Sequence, residues 1–281
     1  FGFIFFAFIA FVAGDIVARI LPLEHRYLAI AALLTAFFMS VYSVSKNLSG
    51  RNIETITLLS SKIKNPIRVV LIADTHISKF HGAEYLTGIV GEINSQNPDM
   101  VCISGDFADG ETSFSAIEPL NEIKAPVYLV MGNHEVWNNH NGKIEKLLNK
   151  TKANILHKSK TKGVQLVGVH FNNEQHVLRE AFKDIEIDPE EYNILLYHEP
   201  REVKVAQKAG IDLMLSGHTH GGQIVPWNYV TRLAYKYIKG LYKFKGMAIY
   251  VSQGTGVWGP PMRLGSQNEI TVIDLKPAYI H

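Results

Sequence analysis

Hydrophobic and polar positions divide the 281-residue chain into two unlike parts. Residues 1–14 carry no charge, and neither do residues 27–45. The second run is mostly Ala, Leu, Ile and Phe and is about long enough to cross a bilayer as a helix. The first is shorter, but Ile16, Val17 and Ala18 extend it past Asp15. Phe1 is not an initiator methionine, so this span is expected to continue upstream. Only residues 15–26 separate the runs, which predicts an antiparallel membrane hairpin over residues 1–46 and a second unit over residues 47–281. A cleaved signal peptide accounts for the first run and leaves the second unexplained. A hairpin buried in a soluble core is the remaining rival.

Beyond residue 46, short apolar runs alternate with segments of helical spacing. Residues 52–59, 67–73, 100–104, 126–131, 193–197, 211–215, 247–252 and 269–275 read as strands. Residues 162–169 read as a strand pair or one long strand. Leu86, Ile89, Val90 and Ile93 fall on one helical face, and residues 115–123, 143–148 and 202–209 also read as helical. Such alternation predicts an α/β fold with strand ends gathered along one edge. Five apolar runs end in potential ligands: Asp74-Thr75-His76, Gly105-Asp106, Gly132-Asn133-His134-Glu135, His198 and Gly217-His218-Thr219-His220. Surface polarity does not explain five such endings in one chain.

Composition narrows the field. A net charge of +2 is too small to point to a nucleic-acid partner. The single cysteine, Cys102, excludes an intramolecular disulfide and sits in an apolar run, so it reads as a buried thiol. Lys46, Arg51, Lys62, Lys64 and Arg68 follow the second apolar run, against Arg19 and Arg26 in the turn. By the positive-inside bias, the large unit faces the cytoplasm from the inner (cytoplasmic) membrane.

His218 and His220 stand one residue apart at a strand end, so both can face one ion, or one each of two. With Asp74, His76, Asp106, Asn133 and His198 they make seven candidate metal ligands. Mixed nitrogen and oxygen donors suit Mn, Fe, Zn or Co, and the lack of cysteine argues against a closed structural zinc site. Seven ligands are too many for one ion with an open position and about right for two. Two-metal sites promote in-line displacement at phosphorus.

The order Asp74-x-His76, Gly105-Asp106, Gly132-Asn133-His134-Glu135, His198 and Gly217-His218-Thr219-His220 resembles the calcineurin-like metallophosphoesterase family over about residues 67–223. The continuation through Gly221-Gly222-Gln223-Ile224, Tyr250 to Gly256 and Arg263 is similar to its membrane-associated bacterial branch. The resemblance implies two packed mixed β-sheets flanked by helices. It implies one ion on Asp74, His76, Asp106 and His220, and another on Asp106, Asn133, His198 and His218, Mn foremost, with Fe or Zn as alternatives. It also implies a catalytic role for His134, at the transition state or the leaving group. Glu135 stands where the family more often has Asp, and His170 where it often has an acidic residue. His170 reads as a satisfied histidine or a substrate contact. Asp109 reads as a loop cap.

Residues 227–245 place Val230, Leu233, Ala234, Tyr237, Ile238 and Leu241 at helical spacing, with Arg232, Lys236, Lys239 and Lys243 between. That predicts an amphipathic helix, either packed on the core or lying on the membrane beside the metals. An anchored hydrolase with such a helix implies an acylated nucleotide-sugar or other lipid-linked phosphate as partner. Among activities in resembling families, cleavage of UDP-2,3-diacylglucosamine to lipid X and UMP in lipid A biosynthesis fits best. A broader membrane phosphodiesterase and a non-catalytic metal-binding scaffold are the alternatives.

Overall fold

The first two helices of the computed structural model, which describes residues 2–21, 24–79, 81–139, 142–161 and 163–278, are α1 (Gly2–Ile20) and α2 (His25–Leu48). Gly14 lies beside Leu28, and Phe6 shares a cluster with Ala36, so the two run antiparallel. Both are long and apolar enough to cross a membrane. Ile4, Phe8, Ile20, Phe38 and Leu48 point outward from them.

The remaining chain builds two six-stranded sheets. The first uses β1 (Asn52–Ser60), β2 (Ile67–Ile72), β3 (Met100–Ser104), β4 (Val127–Val130), β5 (Asn154–Ile155) and β12 (Glu269–Pro277), in the order β1-β12-β2-β3-β4-β5. The second uses β6 (Lys158–Thr161), β7 (Val164–Val169), β8 (Tyr192–Tyr197), β9 (Leu213–Ser216), β10 (Gly240–Phe244) and β11 (Met247–Val251), in the order β10-β11-β9-β8-β7-β6. Strands β2, β3 and β4 are parallel neighbours, as are β7, β8, β9 and β11. Antiparallel pairs close the second sheet at both edges.

Alternation assigns each strand face. Val69, Leu71, Met100 and Cys102 meet Leu166, Ile194, Leu196, Leu213 and Leu215 between the sheets. Val70, Ile72, Val101 and Ile103 pack outward against α3 (Ala83–Ser95), α4 (Phe114–Ile117) with its 3-10 continuation Glu118–Glu122, and α6 (Lys143–Leu148). Val167, Leu195 and Met214 pack against α7 (Val177–Ala181) and α8 (Val203–Lys208). The central strands β2, β3, β4, β8, β9 and β11 are buried on both faces, so their sequences are continuous apolar runs. Cys102 lies between the sheets, where burial pushes its thiol up to about 12.

Two segments differ from the sequence reading. Residues 162–169, read as a strand pair or one long strand, hold the single strand β7, and its antiparallel partner β6 precedes them; Lys162 lies outside the described residues. The helix expected over 227–245 is only α9 (Trp227–Ala234). After it the backbone extends at Tyr235, and residues 240–244 become β10. Leu241 packs between the sheets while Tyr242 and Phe244 pack on the opposite face, a period of two that ends the helical pattern.

Candidate dinuclear metal site

The carboxyl ends of β2, β3 and β4 deliver Asp74, Asp106 and Asn133; those of β8 and β9 deliver His198, His218 and His220. Ser104 at the end of β3 locks the sheets together. Its hydroxyl donates to Leu215 O (3.0 Å), and its carbonyl accepts from His198 Nδ1 (2.7 Å). Close approach is possible because Gly105 has no side chain. A Cβ there would stand 2.5 Å from His198 Nδ1, on a backbone with φ +86°.

Nine non-glycine residues have positive φ among the described residues, and five are Asp74, His76, Asp106, His218 and His220. Such conformations cost about 1–3 kcal/mol each and persist where surrounding structure holds them. The chain turns its backbone over to aim these side chains at a common point.

Two donor clusters result. In one, His76 Nε2 and His220 Nε2 are 3.2 Å apart, and His220 Nε2 is 3.7 Å from Asp74 Oδ1. In the other, His198 Nε2 lies 3.1 Å from both Asp106 Oδ2 and Asn133 Oδ1. His218 Nδ1 lies 2.9 Å from Asn133 Oδ1 and 3.2 Å from His198 Nε2. His198 is 4.0 Å from Asp74, so the clusters adjoin. All seven residues singled out from the sequence as ligands meet here.

The donor set fits two divalent cations. The imidazole and carboxylate ligand atoms of each cluster lie within 4.8 Å of one another, close enough to share a cation in place of the hydrogen bonds between them. Burial, then neighbouring imidazoles, lowers His218 to about 3 and His220 well below the ordinary histidine value, so both keep a lone pair. Burial would lower His198 too, but Asp106 and Asp74 push it up to about 10. Burial raises Asp74 to about 6, against the pull of His198. Burial would also raise Asp106, yet His198 holds its carboxyl far below the usual range.

His134, in α5 (Asn133–Asn138), stands at the mouth. Its backbone N–H donates to Asp106 Oδ1 (2.8 Å), and its Nδ1 lies 2.8 Å from Asp109 Oδ1. Desolvation lowers its pKa, but the Asp109 hydrogen bond leaves it raised overall. The rings of Trp137 and Trp258 flank it at 6.2 and 6.1 Å. The Asp109 main-chain carbonyl does cap a turn, accepting from Thr112 N (3.0 Å). Its carboxylate, however, reaches both His134 and His76 Nδ1 (3.1 Å), a role that sequence spacing missed.

Glu135 is fully buried and accepts from Asp106 N (2.9 Å), Gly132 N (2.7 Å) and Ala108 N (2.7 Å). Its carboxylate binds the Asp106 loop to the start of α5. His170 accepts at Nδ1 from Met131 N (3.0 Å), and burial lowers it to about 4. It buttresses the end of β4.

Arg263, which the sequence singled out without a role, is fully buried. Its guanidinium donates to the carbonyls of His220 (2.8 Å), Gly254 (3.2 Å) and Gly256 (2.5 Å), to Ser266 Oγ (3.0 Å) and to Asn268 Oδ1 (2.9 Å). Its own N–H donates to Ser43 O of α2 (3.0 Å). Arg263 therefore ties the His220 loop to the N-terminal hairpin.

Comparison with known proteins gives three kinds of match. The family model for calcineurin-like phosphoesterase matches residues 67–222. A metallophosphoesterase of Helicobacter pylori is 33% identical over 258 residues, covering 88% of this chain and 69% of its own length. A transmembrane protein with metallophosphoesterase domain from Bos taurus is 30% identical over 285 residues, covering 90% of this chain. This chain spans 64% of that protein's length. The crystal structure of a dimetal phosphatase from Danio rerio aligns with a TM-score of 0.44 and 12% identity, over 69% of this chain and 89% of that one.

Proposed function

Because the chain belongs to the calcineurin-like phosphoesterase family, we propose that it is a membrane-associated, two-metal hydrolase acting on a phosphodiester or phosphoanhydride of a lipid-linked substrate. The convergence of seven donors beside His134 supports the hydrolase reading. Asp74, His76, Asp106 and His220 hold one cation, and Asp106, Asn133, His198 and His218 the other, with Mn the foremost candidate. Bound ions at such a site supply a nucleophile near neutral pH and charge for the phosphoryl oxygens. The remaining work falls to the chain. Glu135 fixes the Asp106 and Asn133 loops. Asp109 holds His134 by Nδ1, which leaves Nε2 to donate a proton or hydrogen bond to the leaving oxygen.

The lipid half rests on one loop. Ile224, Met262 and Leu264 pack with Phe5, Phe6 and Ala36 of the hairpin, and the same loop carries Trp258 to His134. Beside it, α9 exposes Trp227, Tyr229, Val230 and Leu233, with Arg232 among them. Tryptophan and arginine at this level suit the membrane interface. In this reading residues 1–46 anchor the hydrolase, residues 47–281, to the cytoplasmic face of the inner membrane. An acylated nucleotide-sugar then meets the metals with its chains still in lipid.

The full-length protein with Mn²⁺ should hydrolyse bis-p-nitrophenyl phosphate and release UMP from UDP-2,3-diacylglucosamine in mixed micelles. Hydrolysis of the first with no UMP from the second would sink the lipid A assignment and turn the search to other lipid phosphates. No hydrolysis of either, in protein shown to hold two ions, would move the reading to a scaffold.

A further inference from the structure

Tyr235 lies at the carboxyl end of α9, where its N–H donates to Thr231 O (2.8 Å) and the backbone leaves the helix. Its hydroxyl lies 2.7 Å from Glu199 Oε1 and 2.7 Å from His218 Nε2. The ring packs edge-on against the His218 ring, with centroids 5.1 Å apart. On its other side the Arg201 guanidinium lies over the ring at 4.5 Å and reaches Glu199 Oε1 at 3.2 Å. Glu199 follows His198 directly, at the end of β8.

A phenol has one hydrogen and can donate once. A carboxylate has none to give, so the Tyr235 hydrogen goes to Glu199. The Tyr235 oxygen is then left as an acceptor. His218 must therefore carry its hydrogen on Nε2 and donate it to Tyr235. That leaves the lone pair on Nδ1, the atom that faces Asn133 Oδ1 (2.9 Å) and His198 Nε2 (3.2 Å). The opposite tautomer would put a hydrogen on Nδ1, pointed at Asn133 Oδ1, where a cation belongs.

We propose that Glu199 and Tyr235 form a carboxylate–phenol relay that sets the tautomer of His218 and holds its ring ready for the cation shared with Asp106, Asn133 and His198. The proposal rests on the two-ion reading above. Tyr235 is a positioning residue and touches neither the cation nor the substrate. The relay also joins α9 to one of the two ions: the residue that ends the exposed helix is the one that orients the ligand. His220 has no such partner, and its Nδ1 is buried without a hydrogen bond. The two ions should therefore respond differently to the relay.

The test is Mn²⁺ binding to the metal-free full-length protein, by titration calorimetry and by metal content after dialysis against buffered Mn²⁺. The wild type should bind two ions. In Y235F one binding step should weaken by about 10- to 100-fold, the usual effect of losing a hydrogen-bond partner behind a metal-bound histidine. The other step and the metal-free melting temperature should stay unchanged. Y229F, altered at an exposed phenol on the same helix, should match the wild type. E199A, which keeps the phenol and removes its acceptor, should weaken the same step as Y235F and serves if Y235F fails to fold. Two unchanged steps in Y235F or E199A would overturn the relay, as would equal weakening of both steps together with a lower melting temperature. A wild type that binds fewer than two ions would instead remove the reading on which the relay stands.

Discussion

At the scale of single residues, the proposed function gives His134, paired with Asp109, a catalytic role apart from metal binding. Nδ1 of His134 is committed to Asp109 Oδ1 at 2.8 Å, so the ring is held by a group outside the seven donors. H134A should lower kcat by about 10²- to 10⁴-fold, the usual worth of a positioned acid. Metal content, measured on the same preparation, should stay at the wild-type value. Asp109 was illegible in the sequence because its main chain really does cap a turn, through Thr112 N. Its carboxylate meets a histidine 25 residues on, which only the folded α5 brings near. Left-handed backbone at Asp74, His76, Asp106, His218 and His220 was equally hidden. Spacing reveals which residues end a strand, not which way the backbone turns there.

At the scale of elements, the central strands were readable because double-sided burial writes β2, β3, β4, β8, β9 and β11 as continuous apolar runs. The end of α9 was not, because Leu241 falls at helical spacing by coincidence and serves a strand. Arg263 shows what one loop contributes. Replacing it with Met takes the side-chain donor from the buried carbonyl of Gly256, and from those of His220 and Gly254, which keep only Gln223 N and Glu269 N. R263M should therefore lose on the order of 3 kcal/mol of stability, seen as a lower melting temperature. At the junction of β2 and β12, Arg68 pairs with Asp274 at 2.8 Å and holds its carboxyl below the usual range. The lowered value adds stability at pH above the ordinary aspartate value. That gain is lost as pH falls through the lowered one. Arg68 is 41% exposed, so the effect is screened to about 0.2–1 kcal/mol. Melting curves of D274N should fall less steeply than the wild type below about pH 4.

At the scale of the whole molecule, the hairpin and the metal loop form one packed unit. Met262 and Ile224 cluster with Phe6 and Ala36, Asn268 Nδ2 donates to Asn47 Oδ1 (2.9 Å), and Arg263 joins both sides. Contacts between residues some 220 positions apart left no mark in the local pattern, although the two apolar runs themselves were plain. The exposed face of α9 gives this scale its own prediction. L233D should reduce hydrolysis of a micellar lipid-linked phosphate several-fold and leave bis-p-nitrophenyl phosphate turnover unchanged; an equal loss on both would remove α9 from lipid contact.

The two-ion arrangement underlies every other statement about function, and metal content per chain tests it most directly. His220 clusters with Asp74 and His76, while His218 clusters with Asp106 and His198. Wild-type protein should carry two divalent ions, H218A one, H220A one, H198A/H218A one and H218A/H220A none. An H198A/H218A protein without metal, or an H218A/H220A protein that still holds one ion, would contradict the assignment of the two histidines to separate cations.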